Sequence, residues 1–171
     1  KTGKCLFTLK GNGDGSKSDC FSPDGKHVIT SVFDTAMIWE STTGKLINVL
    51  NGHSSWFMDI SKFSPDSKYV ITSPQDGTAM LWDVLSGKKL ITIDLEGGLA
   101  YGINWKDSMI FSSNNSMLSF YNIFTGGGEY SFSSIDSNGY IWLLSNGYYM
   151  ADKNSIAKLY YVIGLQTLGF D

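Results

Sequence analysis

His53, Asp76 and a nearby hydroxyl such as Thr72 are the residue types of a base, its orienting acid and a nucleophile. His27 is the only other histidine, and two separated imidazoles with no supporting carboxylate spacing do not make a metal site. Asp14, in GNGDGS, has the flavour of a calcium loop, yet the alternating acidic pattern with a distal Glu is missing, so a surface turn is expected. Cys5 and Cys20 lack CxxC spacing and read as strand thiols rather than redox partners. A second place for chemistry would be polar residues converging from several innermost strands, for example Asp19, Asp59 and Asn104, in an enzyme or small-ligand binder with a central channel. The residues supply no metal or cofactor ligand set, so the reading expects neither, and no enzyme.

The elements that position these residues follow from a repeat. FSPDGK begins at Phe21 and FSPDSK at Phe63, 42 residues later. HVITS is echoed by YVITS, TAMIW by TAMLW, and TGKLI by SGKKLI. A fainter third copy spans residues 100–127, with Phe120-Tyr121-Asn122 where Leu81-Trp82-Asp83 stood. In the second copy, Pro65-Asp66-Ser67 has type I turn composition, YVITS alternates, Gln75-Asp76-Gly77 closes a hairpin, and TAMLWDV alternates again before Ser86-Gly87-Lys88. Four short strands in about 42 residues leave no room for a helix of ten residues, and this period and strand count predict propeller blades.

Composition narrows the partners. All 13 basic residues are lysines, and arginine, the usual bidentate reader of phosphate and guanine, is absent. With net charge -3 and no basic stripe, nucleic-acid binding is not expected. No run of about 18 apolar residues predicts a membrane span, and KTGKCLFTLK has too short an apolar part for a signal peptide. The reading therefore expects a cytoplasmic protein. Because the chain opens without Met and in mid-phrase, it also expects a piece of something longer.

Gly52-His53, then FSPDS, VITS, DGT and Leu81-Trp82-Asp83, in this order and spacing, resemble the WD-repeat family of β-propellers. The resemblance implies an all-β fold of four-stranded antiparallel blades, here a partial propeller. Residues 1–10 would end a preceding blade, 11–50 and 51–96 would be full copies, 97–128 a degenerate one, and 129–171 a divergent closing β segment. It also implies that His53, Thr72, Asp76 and Trp82 form a structural hydrogen-bonded chain, which accounts for the triad-like residues as scaffolding. The first copy offers Thr30, Asp34 and Trp39 but has Gly11-Asn12 in place of Gly-His, so its chain should be incomplete and its blade softer.

Trp56 and Phe57 follow Gly52-His53-Ser54-Ser55 near a blade-to-blade loop, and exposed aromatics on such a rim are preferred protein-contact anchors. The reading expects a non-catalytic scaffold that engages a protein partner, with self-association as one way to complete the ring. The tail SIDSNGYIWLLSNGYYMADKN, followed by LYYVIG, resembles the propeller end of bacterial proteins that also carry a caspase-like peptidase domain. What that implies is an attached effector domain, not an activity in these residues. Cys5 and Cys20 are followed by Leu and Phe, and neither His is followed by Gly, so a caspase-like site is not written here.

Overall fold

The structure, a computed structural model, describes residues 3, 5, 8–9, 19–54, 58–114, 117–136, 139–144 and 149–151. Every element among them is a strand. The first antiparallel sheet contains β1 (Cys20–Phe21), β2 (His27–Val32), β3 (Thr35–Glu40) and β4 (Leu46–Asn51), in that order. The second contains β5 (Met58–Phe63), β6 (Tyr69–Pro74), β7 (Thr78–Asp83) and β8 (Lys89–Asp94). The third runs β9 (Leu99–Asn104), β10 (Met109–Asn114), β11 (Met117–Asn122), β12 (Gly128–Asp136), β13 (Gly139–Leu144) and β14 (Tyr149–Ala151). These are the propeller blades that the repeat predicts, and they stack one against the next.

The period-2 alternation of each strand sends its side chains to two different neighbours. In the second blade Val70, Met80 and Trp82 pack with Ile29, Ala36, Ile38 and Leu50 of the first. The intervening Ile71, Ala79 and Leu81 face the other way, onto Ile110, Tyr121 and Ile123 of the third. The middle blade is thus apolar on both faces, which is why VIT and AMLW read as nearly continuous hydrophobic runs. In the first blade, Met37 and Trp39 are buried as well, on the side of β3 opposite Ile38.

The SPDG and SPDS turns share one internal design. Ser22 Oγ donates to Asp24 Oδ1 at 2.6 Å and Ser64 Oγ donates to Asp66 Oδ1 at 2.6 Å. Each serine Oγ also accepts the N–H that opens the next strand, from His27 and Tyr69. Ser67 takes the left-handed conformation (φ 62°) that Gly25 takes in the first copy (φ 72°), and its Oγ accepts the Asp24 N–H across the blade boundary.

The third sheet differs from the repeat's own count of four strands. Its fourth strand, β12, begins at Gly128, where the repeated wording runs out, and β13 and β14 extend the same sheet outward. YIWLL, and Tyr149–Ala151 within YYMAD, thus contribute paired strands. The LYYVIG wording of the tail lies outside the described residues, and of CLFTL only Cys5, Thr8 and Leu9 are described.

Candidate functional site

His53 sits in the loop between β4 and β5, and it is Gly52 that lets the loop pass close over the second blade. A Cβ at Gly52 (φ 157°) would meet Met80 Sδ at 3.3 Å and Trp82 at 3.5 Å. The His53 ring then drops against β6, its side chain fully buried. Nε2 lies 2.8 Å from Thr72 Oγ1, and Trp82 Nε1–H donates to the same oxygen at 2.8 Å. Nδ1 faces Asp76 Oδ2 at 3.4 Å.

These contacts settle on one proton arrangement. Ionised Asp76 only accepts, so Nδ1 carries the imidazole proton. Thr72 takes the Trp82 proton on its oxygen and donates its own to Nε2. Asp76 is fixed in turn by the hairpin it closes: Thr78 N–H and Oγ1–H donate to Oδ1 at 3.0 and 2.7 Å, and Ser54 N–H donates to Oδ2 at 3.1 Å. Ser54 and Thr78 were not singled out by sequence reasoning. The signal for Thr78 was present, since DGT places a hydroxyl two residues after the Asp; Ser54 contributes through its backbone, which no side-chain pattern reports.

The electrostatics suit a neutral, sealed unit. Burial holds His53 below its ordinary pKa, and the Asp76 charge offsets this only in part. Burial works against Asp76's charge, but the hydrogen bonds from Thr78 and Ser54 outweigh it and keep the carboxyl below the usual range. Base, acid and hydroxyl therefore stand in triad order. The hydroxyl cannot serve as a nucleophile: Thr72 is fully buried and its oxygen already lies between the Trp82 indole and His53.

In the first blade only the indole–hydroxyl half exists. Trp39 Nε1–H donates to Thr30 Oγ1 at 2.8 Å, while Asp34 is exposed and accepts from its neighbour Thr35 at 2.9 Å. The residue missing from this copy shortens its turn, so that Phe33 takes φ 55° and Asp34 points at solvent. Phe33 remains half-exposed at this turn.

Of the residues named for a central channel, Asn104 is the last of β9: Ile103 pairs with Ile110 as Phe21 pairs with Val28 and Phe63 with Val70, so Asn104 stands where Ser22 and Ser64 stand. It ties the β9–β10 turn, donating from Nδ2 to Asp107 Oδ2 at 2.6 Å. Asp19 is exposed just before β1, and Asp59 lies in β5 with its side chain outside the described residues. Trp56 and Phe57 also lie outside them. Among the described residues, no three His, Cys, Asp or Glu side chains group as a metal site, and no helix is long and apolar enough to cross a membrane.

Residues 3–39 and 44–83 match the family model for the WD domain, G-beta repeat. The chain is 35% identical over 69 residues to WD repeat-containing protein 18 of Danio rerio, covering 39% of this chain and 15% of that protein. It is 34% identical over 79 residues to WD repeat, SAM and U-box domain-containing protein 1 of Danio rerio, covering 46% and 16%. The chain thus spans less than a fifth of either curated relative. The solved structure of the RRP9 WD40 repeats superimposes with a TM-score of 0.61 at 14% identity, covering 84% of this chain and 52% of that one. That similarity is one of fold.

Proposed function

Taking a partial WD-repeat propeller as the premise, we propose that this chain is a non-catalytic docking scaffold whose rim, around the β4–β5 loop, engages a protein partner. The observation that carries this reading is the sealed His53–Thr72–Asp76–Trp82 chain. It spends the one triad-like constellation on fixing a loop, and that loop leads directly into Trp56 and Phe57. Aromatics that follow a fixed segment closely in sequence would cost little conformational entropy to order when a partner docks.

In the longer protein, the scaffold would regulate an attached caspase-like effector domain, with further blades or a second copy completing the ring. The tail wording supports the first element, and the relative whose name joins WD repeats to SAM and U-box domains shows repeats of this kind sharing a chain with other modules. The second is supported by the far face of the third sheet, where Phe111, Leu118, Phe120, Tyr130 and Phe132 are only half-buried.

The test is a Trp56→Ala/Phe57→Ala variant compared with wild type by quantitative crosslinking and pull-down from the native host. The expected result is selective loss of at least one reproducible partner while the variant keeps its wild-type melting temperature. Retention of every partner at unchanged yield would overturn the rim assignment.

A further inference from the structure

The third blade carries a second departure from the repeat, independent of the rim. In the first blade a cross-strand row runs Thr30, Met37, Val49; in the second it runs Thr72, Met80, Thr92. The equivalent row of the third is Ser112, Ser119, Ser131. Beside it, Tyr121 pairs with Ile110 as Trp82 pairs with Val70 and Trp39 with Val28. Both large side chains of the repeat, Met and Trp, have therefore been replaced by smaller, hydroxyl-bearing ones on the face turned toward the second blade.

A cleft of about 280 Å³ is lined by Glu96, Ser119, Tyr121, Ser131 and Leu143 among others. Tyr121 is 4% exposed and its hydroxyl is buried without a hydrogen-bond partner. Ser112 and Ser119 flank the hydroxyl closely enough to oppose the effect of burial on its ionisation. Burial still pushes its ionisation up, so it stays a neutral phenol. Ser119 and Ser131 Oγ lie 3.2 Å apart, each with remaining acceptor capacity.

The opposite wall comes from the second blade. Asp94 pairs with Thr78 as Asn51 pairs with Thr35, so Glu96, two residues on, occupies the loop position of His53. A buried imidazole has thus been exchanged for an exposed carboxylate. The set is rich in acceptors, carries one negative charge and includes no basic side chain. Leu143, 40% exposed, adds an apolar shoulder.

We propose that this cleft binds a primary ammonium group on an aliphatic stem. Its three N–H donors would meet the hydroxyls of Ser119 and Ser131 and the carboxylate of Glu96, which balances the charge, with Leu143 flanking the stem. The ammonium is supplied either by a lysine side chain of a partner protein or by a free small amine.

The test is amide NMR titration of the 171-residue chain with n-butylammonium, with an uncharged n-butanol control, and with a Gly-Lys-Gly peptide capped at both ends, alongside its Nε-acetylated form. Saturable shifts at Glu96, Ser119 and Ser131 are expected with the ammonium ligands and not with butanol or the acetylated peptide. Response to n-butylammonium alone assigns the site to free amines, and response to the lysine peptide assigns it to a protein partner. Ser119→Met restores the residue both sister blades use; it should raise Tm without ligand and abolish the shifts. Glu96→Gln should weaken binding about tenfold, as loss of a charge-assisted hydrogen bond implies. No response to either ammonium ligand, or unchanged binding by Ser119→Met, overturns the proposal.

Discussion

At the scale of single residues, the informative group is His53. Its proton affinity is lower in the folded chain than in the unfolded one, chiefly because it is buried. The unfolded state therefore takes up a proton first as the pH falls below the usual histidine value of 6.5. Stability is full above that value and declines below it, down to the pH at which the folded form also protonates. Asp76 adds a separate loss only at lower pH, as its own depressed pKa is approached. Urea denaturation of the wild type is expected to show a lower midpoint at pH 5.5 than at pH 7.5, with His53→Gln losing much less across the same interval. An equal fall in both proteins would place the acid-sensitive group elsewhere. Much of this unit was legible in the sequence, because Thr72, Asp76 and Trp82 repeat Thr30, Asp34 and Trp39, and Gly52-His53 and DGT fit the WD-repeat wording. The Asp76–Ser54 contact was not legible, since its donor is a backbone N–H whose direction depends on the folded loop.

At the scale of strands, the third sheet shows where sequence reading loses its register. Shrinkage of the SPDG turn to Lys106-Asp107 hides the boundary of β9, and only the pairing of Asn104 with Met109 puts it at the strand's last position, in the place of Ser22 and Ser64. The strand limits of the first two blades, by contrast, are announced by turn chemistry that the coordinates reproduce residue by residue. On the far face of the third sheet, Phe111 lies over Gly102, its ring 6.0 Å from Phe120, which in turn lies 4.4 Å from Tyr130. A Cβ at Gly102 would come within 2.3 Å of the Phe111 ring, so the ring must swing away if one is added. Gly102→Ala should cost about 1–3 kcal/mol, as overpacking typically does. In a Phe111→Ala background the same change should cost much less, and a urea double-mutant cycle measures the difference. Equal costs in both backgrounds would mean the ring is not what the glycine accommodates.

At the scale of the whole molecule, the main contacts between blades among the described residues join the first to the second and the second to the third, and stability is expected to be distributed accordingly. The middle blade is packed on both faces and holds the complete hydrogen-bonded chain, whereas the first has only the Trp39–Thr30 half. The first two blades are also tied by Asn48, whose Nδ2 donates to the carbonyls of Val84 and Leu85 at 2.8 and 3.2 Å. Native-state hydrogen exchange should therefore be slowest in β6 and β7 and faster in β2 and β3. Leu81→Ala, a fully buried site between the second and third blades, should cost about 2–5 kcal/mol and accelerate exchange in β6, β7, β10 and β11 while sparing β2 and β3. Uniform acceleration would instead describe a single cooperative unit.

The two extra strands of the third sheet have a consequence of orientation. Repeated blades are close to interchangeable by rotation, so a visitor reading only their shared contour would find several nearly equivalent berths. With β13 and β14 attached, the third sheet projects beyond its siblings by two strand spacings, about 10 Å. That fin breaks the rotational degeneracy and gives the circumference one landmark from which every other position can be counted.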